Sequence, residues 1–306
     1  MEVREVNRII IGVAVTLVLI AALSTPLAST VQAKKTAKID MDGYTEYFGT
    51  LDHANFVVRI PDEWNGMLVV GCHQYMQLWN LDAQYQVDKL LNSEGVGLPF
   101  ALIAQGFAYA ASSYGEGGWP IKEAMIRTHQ LAEYVIENFG VTGKVFVVGH
   151  SMGGAIALML GEKYPKLYDG VLDISAMRNT TMGYLATVAA INNPNVPPQL
   201  LPGLLQMKED MEAHYGGTYD DKPKAFERLN PSSNAKISIP VVTVYGTADM
   251  LTTPKQAASY GIAVEAAGCS EYYRLYAAIG GTHDNSLTVD AALSHFVELV
   301  DYPVGW

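Results

Sequence analysis

The sequence predicts an α/β fold built on a mostly parallel sheet with helices on both faces. Three observations carry this reading. From Met67 to the C-terminal end, short apolar runs alternate with segments of helical spacing. The runs, such as Val145-Phe146-Val147-Val148, are uninterrupted and rich in β-branched residues, as strands buried on both faces are. One stretch of about 60 residues, Met177–Lys236, breaks the alternation and is too long for a simple connection, so it reads as an insertion.

Composition supports a folded, extracytoplasmic chain. The 306 residues are 49% apolar and only 17% charged, which supplies a core and argues against disorder. The net charge is −11, and residues 1–33 add nothing to it, because Arg4 and Arg8 cancel Glu2 and Glu5. An acidic body disfavours nucleic acid and anionic membrane surfaces as partners. Arg4 and Arg8 precede an apolar run from Ile9 to Leu23, then Pro26 and a small-x-small site at Val31-Gln32-Ala33. These features predict a signal peptide over residues 1–33, the run being shorter than the roughly 20 residues of a spanning helix. The alternative is an uncleaved anchor, the one route to membrane attachment. An oxidising compartment permits a disulfide between Cys72 and Cys269, but each adjoins a core segment and is expected free. No Cys/His pair has metal-ligand spacing, so no metal is expected.

In order, Tyr44–Phe48 and Asn55–Ile60 read as two antiparallel edge strands about a turn at Thr50–His53, after a short polar lead. Pro61–Gly66 is a loop of turn formers, and Met67–Gly71 a buried strand. Leu98–Gln105 reads as a short helix stopped by Gly106, and Phe107–Ser113 as the next strand. Pro120 opens a helix over Ile121–Phe139, whose Met125, Ile126, Leu131, Ala132, Val135 and Ile136 keep helical spacing up to Gly140. After the Val145 strand and its helix come a strand over Gly170–Ser175 and the insertion, with a helix at Lys208–His214. Strand Pro240–Tyr245, helix Pro254–Ala266, strand Tyr272–Ala278 and helix Ser286–Val300 complete the chain. Asn179-Thr180-Thr181 is a glycosylation sequon, exposed if used.

The most informative stretch is Gly149-His150-Ser151-Met152-Gly153-Gly154, set between the Val145 strand and the run Ile156–Leu160. A sharp strand-to-helix turn here would strain Ser151 and lift its hydroxyl clear of the sheet. Gly149 and Gly153, two residues to either side, would then be crowded together and need to lack Cβ atoms. This stretch resembles the nucleophile elbow of the α/β-hydrolase superfamily of serine esterases, lipases and peptidases. The resemblance spans about Tyr44 to Val300. It implies the α/β-hydrolase fold over residues 34–306, with Met177–Lys236 as the cap over the pocket. It also implies the chain order nucleophile, acid, histidine.

Residues fit that order. A serine needs a base, and His283, after a strand in Gly280-Gly281-Thr282-His283, lies where the superfamily places it. Asp249, in Tyr245-Gly246-Thr247-Ala248-Asp249, matches the family acid, which would fix the imidazole tautomer. Asp173 and Asp284 are the alternative acids, the second more suited to capping a helix. The resemblance makes Met152 N–H one oxyanion donor. The second comes from Cys72-His73-Gln74-Tyr75, where Gln74 stands in place of the family's glycine and Tyr75 N–H is the expected donor, Gln74 the alternative. Gln74, His73, Tyr114 and Trp119 are candidates for the substrate pocket, with Met76 and Trp79 on neighbouring loops. His73 is read as fixing its loop, and His150 as pointing away from the serine. The implied activity is that of a secreted carboxylic-ester hydrolase working without a cofactor on a small-molecule ester. A peptidase or amidase, an acyltransferase, or an inactive hydrolase fold serving as a binding module are the rival readings.

Overall fold

The computed structural model describes residues 34–76 and 97–302. The predicted signal segment and Trp79 lie outside these residues. The described chain forms a nine-stranded sheet: β1 (Lys34–Asp40), β2 (Tyr44–Leu51), β3 (Ala54–Pro61), β4 (Leu68–Cys72), β5 (Ala108–Ser112), β6 (Val145–His150), β7 (Gly170–Ile174), β8 (Val241–Gly246) and β9 (Tyr273–Ala278). The strand order is β1-β2-β3-β5-β4-β6-β7-β8-β9. Pairing is antiparallel from β1 through β3 to β5 and parallel from β5 to β9. Strands β4 to β7 are buried along their whole length, which is why their sequences lack the alternation of a one-sided sheet.

The antiparallel edge has three strands rather than the two expected. Lys34–Asp40, read as a polar lead, pairs with the outer edge of β2. Residues 36–40 of it are exposed and bury no apolar face, so no periodicity marks it; charged residues suit a strand at a sheet edge.

The helices are α1 (Leu98–Ala104), α2 (Ile121–Phe139), α3 (Met152–Lys163), α4 (Thr180–Ile191), α5 (Leu201–Tyr215), α6 (Pro223–Arg228), α7 (Pro254–Ala266) and α8 (Val289–Val300). The bounds of α2 and α7 are those the sequence predicts. Helix α8 starts three residues later than expected. Ser286 belongs to the preceding loop, where Ser175 Oγ donates to its Oγ at 2.8 Å, and Thr288 instead caps the helix by accepting from Ala291 N. Helices α1 and α8 share one core with the sheet, around Phe107, Phe146, Leu172, Val242 and Phe296.

The insertion folds as α4, α5, α6 and a short 3₁₀ turn at Pro231–Ser233. The expected helix Lys208–His214 is the second half of α5. Helix α4 escapes prediction because it is apolar nearly all round and so lacks a polar face to set its period. Its start is fixed by Asn179, whose Oδ1 accepts from Met182 N at 3.0 Å, while its Nδ2 donates to Ser259 Oγ at 3.2 Å. The sequon asparagine is therefore half-buried and engaged in the fold rather than exposed. Both ends of the insertion are tied together: Ser232 N and Oγ donate to Arg178 O, and Thr180 Oγ1 donates to Leu229 O.

Candidate active site

Ser151 sits between β6 and α3 with φ 58° and ψ −121°, the strained turn its glycine neighbours foreshadow. A Cβ on Gly149 would lie 2.1 Å from Gly153 O, and one on Gly153 would lie 2.0 Å from Cys72 O. Only glycine permits those approaches. The turn is pinned by Ser151 N donating to Ile174 O at 3.1 Å and Met177 N donating to Ser151 O at 2.9 Å. The second bond joins the elbow to the base of the insertion.

The structure brings Ser151, His283 and Asp249 into one line. His283 Nε2 is 2.9 Å from Ser151 Oγ, and its Nδ1 is 2.9 Å from Asp249 Oδ2. Asp249 is 3% exposed and accepts three further bonds, from Leu251 N and Thr252 N to Oδ1 (both 2.8 Å) and from Thr252 Oγ1 to Oδ2 (2.5 Å). Burial pushes the Asp249 carboxyl up, but the hydrogen bond and charge of His283, with the Thr252 donors, outweigh it and hold the carboxyl at about 2. A fixed carboxylate on Nδ1 makes Nδ1–H the donor and leaves the Nε2 lone pair facing the serine hydroxyl. Thr252 lacked any signal beyond standing three residues after Asp249.

Asp173, the alternative acid, is taken up elsewhere. It is wholly buried against Arg178 and Thr243 Oγ1, and Arg178 also donates to Val244 O at 2.8 Å. Burial pushes the Asp173 carboxyl above its usual range despite the Arg178 charge. Asp284 is exposed and caps no helix, since Thr288 does so.

Met152 is the first residue of α3, where N–H groups have no intrahelical partner and the helix dipole favours negative charge. The loop after β4 faces it. Tyr114, with φ 63°, stacks on His73 at 3.9 Å between ring centroids and donates its hydroxyl to His73 O at 3.1 Å. Burial pushes the His73 imidazole down to about 4, so it is neutral near pH 7 and props the loop, as the sequence suggests. Tyr75 Oη donates to Asp210 Oδ2 of α5 at 2.6 Å, tying the loop to the insertion. Met76 bridges to Gly118.

A cavity of about 50 Å³ opens beside Ser151 and His283, walled by Trp119, Met177, Thr187, Met207 and Leu251. Of the four pocket candidates, Trp119 lines it. His73 and Tyr114 pack against each other behind the loop, and Gln74 reaches His150. Gly183, Ala186, Thr187 and Ala190 of α4 and Leu204 and Met207 of α5 supply much of the remaining wall, which periodicity could not assign to the pocket. A larger surface groove, about 700 Å³, lies between Met125, Met159 and Leu229, and Ser151 does not line it. Cys72 and Cys269 are both free. Among the described residues no helix is long and apolar enough to cross a membrane, and no cluster of His, Cys, Asp and Glu is arranged to hold a metal.

The Esterase family model matches residues 105–286. In structure the chain is similar to a variant of the rice cell wall degrading esterase LipA from Xanthomonas oryzae, with TM-score 0.59 and 16% identity over 89% of this chain and 98% of that one. It is similar also to the Pyrococcus furiosus esterase Pf2001, with TM-score 0.58 and 14% identity over 92% and 95%. A Bacteroides ovatus protein described as a dipeptidyl aminopeptidase IV gives TM-score 0.59 and 13% identity over 92% of this chain, which spans only 37% of that protein's length. A search of curated proteins by sequence returns no match.

Proposed function

The chain belongs to the Esterase family of α/β-hydrolase-fold proteins, and from that premise we propose that it is an exported serine hydrolase of short-chain carboxylic esters. One observation carries the chemistry: the unbroken line from Asp249 through His283 to Ser151 Oγ, at 2.9 Å and 2.9 Å. Ser151 Oγ attacks the ester carbonyl as His283 Nε2 takes its proton. The oxyanion that forms is held by the N–H groups of Met152 and Tyr75. His283 returns the proton to the departing alcohol, leaving an acyl group on Ser151. Water then replaces the alcohol, gives its proton to His283 and releases the acid, and Ser151 regains its hydrogen. The carboxylate of Asp249 stabilises the imidazolium in both halves.

The cavity supports an ester with a short apolar acyl group. Its space of about 50 Å³ is that of a few carbons, and among the described residues its walls, with Trp119, Met177, Ala186, Ala190, Leu204 and Met207, are largely apolar. The Ile9–Leu23 run with Val31-Gln32-Ala33 supports export and a mature chain starting near Lys34. N-terminal sequencing of exported protein tests this, and a chain beginning at Met1 would favour the anchor.

The test of the chemistry is covalent labelling by a fluorophosphonate, followed by a panel of esters from acetyl to dodecanoyl beside an aminopeptidase panel. The expected result is labelling that Ser151→Ala abolishes, with turnover falling along the ester series. Preferred cleavage of aminoacyl amides would replace this reading with the peptidase. Transfer to an added alcohol in preference to water would indicate an acyltransferase. An unlabelled, inert folded protein would leave the binding module.

A further inference from the structure

His150 does more than flank the serine. It is 2% exposed, and both its ring nitrogens are engaged. Nε2 lies 3.1 Å from the backbone carbonyl of His283, and Nδ1 lies 2.7 Å from the Gln74 side-chain amide. The two imidazoles are 5.2 Å apart between centroids. Three segments of the proposed reaction therefore meet on one ring: the elbow, the histidine loop and the oxyanion loop.

The proton count on that ring is fixed by its partners. The His283 carbonyl can only accept, so Nε2 carries a hydrogen. Burial pushes His150 down to about 4, with the His283 ring beside it acting in the same direction. The ring is neutral near pH 7, and Nδ1 is then an acceptor. With Gln74 Oε1 turned toward Nδ1, two lone pairs would face each other at 2.7 Å. A half-turn of the amide presents its N–H₂ instead and makes the bond. The titratable groups facing His150 are His283, Asp249 and Asp284.

Resting on the proposed reaction, we propose that His150 is a positioning residue: accepting from the Gln74 amide and donating to the His283 carbonyl, it ties the oxyanion loop to the loop that carries the base. Other bonds hold the histidine loop at its ends, from Ala248 N to Gly281 O at 2.9 Å and between Ser175 and Ser286. The bond from His150 holds it at the base itself. Losing the tether lets both the Nε2–Oγ separation and the oxyanion donor drift, and a displacement of about 1 Å in such a constellation costs on the order of 10² in rate.

Three variants of the full chain test this: His150→Phe, Gln74→Ala and Gln74→Glu. Ester kcat and KM, the fluorophosphonate labelling rate and thermal melting are measured from pH 5 to 10 beside wild type and Ser151→Ala. His150→Phe keeps the ring volume without its bonds, so kcat and the labelling rate fall together about 10²-fold, with KM nearly unchanged. Should that variant fail to fold, Gln74→Ala, at a half-buried position, carries the same expectation. Gln74→Glu gives a signature that packing alone would not. With a proton shared between Glu and Nδ1, the tether holds; as pH rises and that proton leaves, two acceptors face each other. This variant therefore gains a descending alkaline limb that wild type lacks. Wild-type kcat in a folded His150→Phe, or in Gln74→Ala, overturns the tether, as does a wild-type pH profile for Gln74→Glu. Wild type without turnover, or Ser151→Ala with full turnover, overturns the reaction and the tether with it. An active, Ser151-dependent wild type with unaffected variants overturns the tether alone.

Discussion

Replacing Asp249 by asparagine is expected to stop the reaction by reversing the histidine's tautomer, and the surroundings of the carboxylate say which way. Oδ1 receives two backbone N–H groups, from Leu251 and Thr252, each at 2.8 Å. An asparagine cannot turn its N–H₂ toward those donors, so its oxygen takes their place. The N–H₂ then occupies the position of Oδ2, 2.9 Å from His283 Nδ1. Facing a donor, Nδ1 gives up its hydrogen, the proton moves to Nε2, and the serine loses its acceptor. A reversed tautomer in a triad of this kind costs about 10⁴ in kcat. The substitution also removes a stabilising charge. A carboxyl held at about 2 against the ordinary 3.8 contributes about 2.5 kcal/mol at 1.36 kcal/mol per unit. The sign follows from the depressed value: the contribution is complete above pH 4 and is lost as pH falls toward 2. Asp249→Asn should therefore melt lower than wild type at pH 7, with the difference closing in acid. The assay is ester turnover at pH 7 with urea melts at pH 7 and pH 3. Retention of more than a tenth of wild-type kcat would refute the tautomer reasoning. A melting difference that widens in acid would refute the linkage.

Ser151→Ala and His283→Ala should each remove nearly all turnover and the double variant little more, because they act as one unit; additive losses in single-turnover kinetics would contradict this. Asp173→Asn should leave the kcat of folded enzyme near wild type, since Asp173 touches neither Ser151 nor His283. It strands the buried Arg178, however, at a cost of about 3–5 kcal/mol, read as a large drop in the urea midpoint. Loss of turnover without loss of stability would return Asp173 to the site. Ala190→Phe, filling the cavity from α4, should shift the ester preference toward acetyl at a stability cost of about 1–3 kcal/mol. An unchanged chain-length profile would mean that the acyl group binds elsewhere.

Most of the scaffold was legible because its signals are local. A strand buried on both faces reads as a near-continuous apolar run, so β4, β6, β7 and β8 declared themselves. Helix α2 carries its apolar stripe and its glycine stop in the sequence. The elbow was legible because a strained serine between two close approaches admits only glycine at Gly149 and Gly153. His283 and Asp249 followed from their places after strands and in the chain order of the resemblance. Other features escaped because their cause lies in another segment. Strand β1 is held by an edge of β2 rather than by any apolar face of its own. Helix α4 is apolar nearly all round although Leu185, Ala186 and Ala189 are exposed, so nothing in its own pattern marks the face that Tyr184 and Thr187 bury. His73 and Tyr114 stand in loops beside the site, yet each is consumed by the other.

By itself the sequence determined the buried sheet and the strained serine. These depend on residue type and spacing over a few positions. Only the tertiary structure decided which carboxylate the histidine meets: Asp173 and Asp249 both follow the serine in sequence, but Arg178 and Thr243 enclose the first and leave the second free to bond His283. It also decided that His150 faces two loops distant in sequence, and that α4 and α5 close the cavity. Such contacts join segments far apart in the chain, where neither propensity nor periodicity records which side chains will touch.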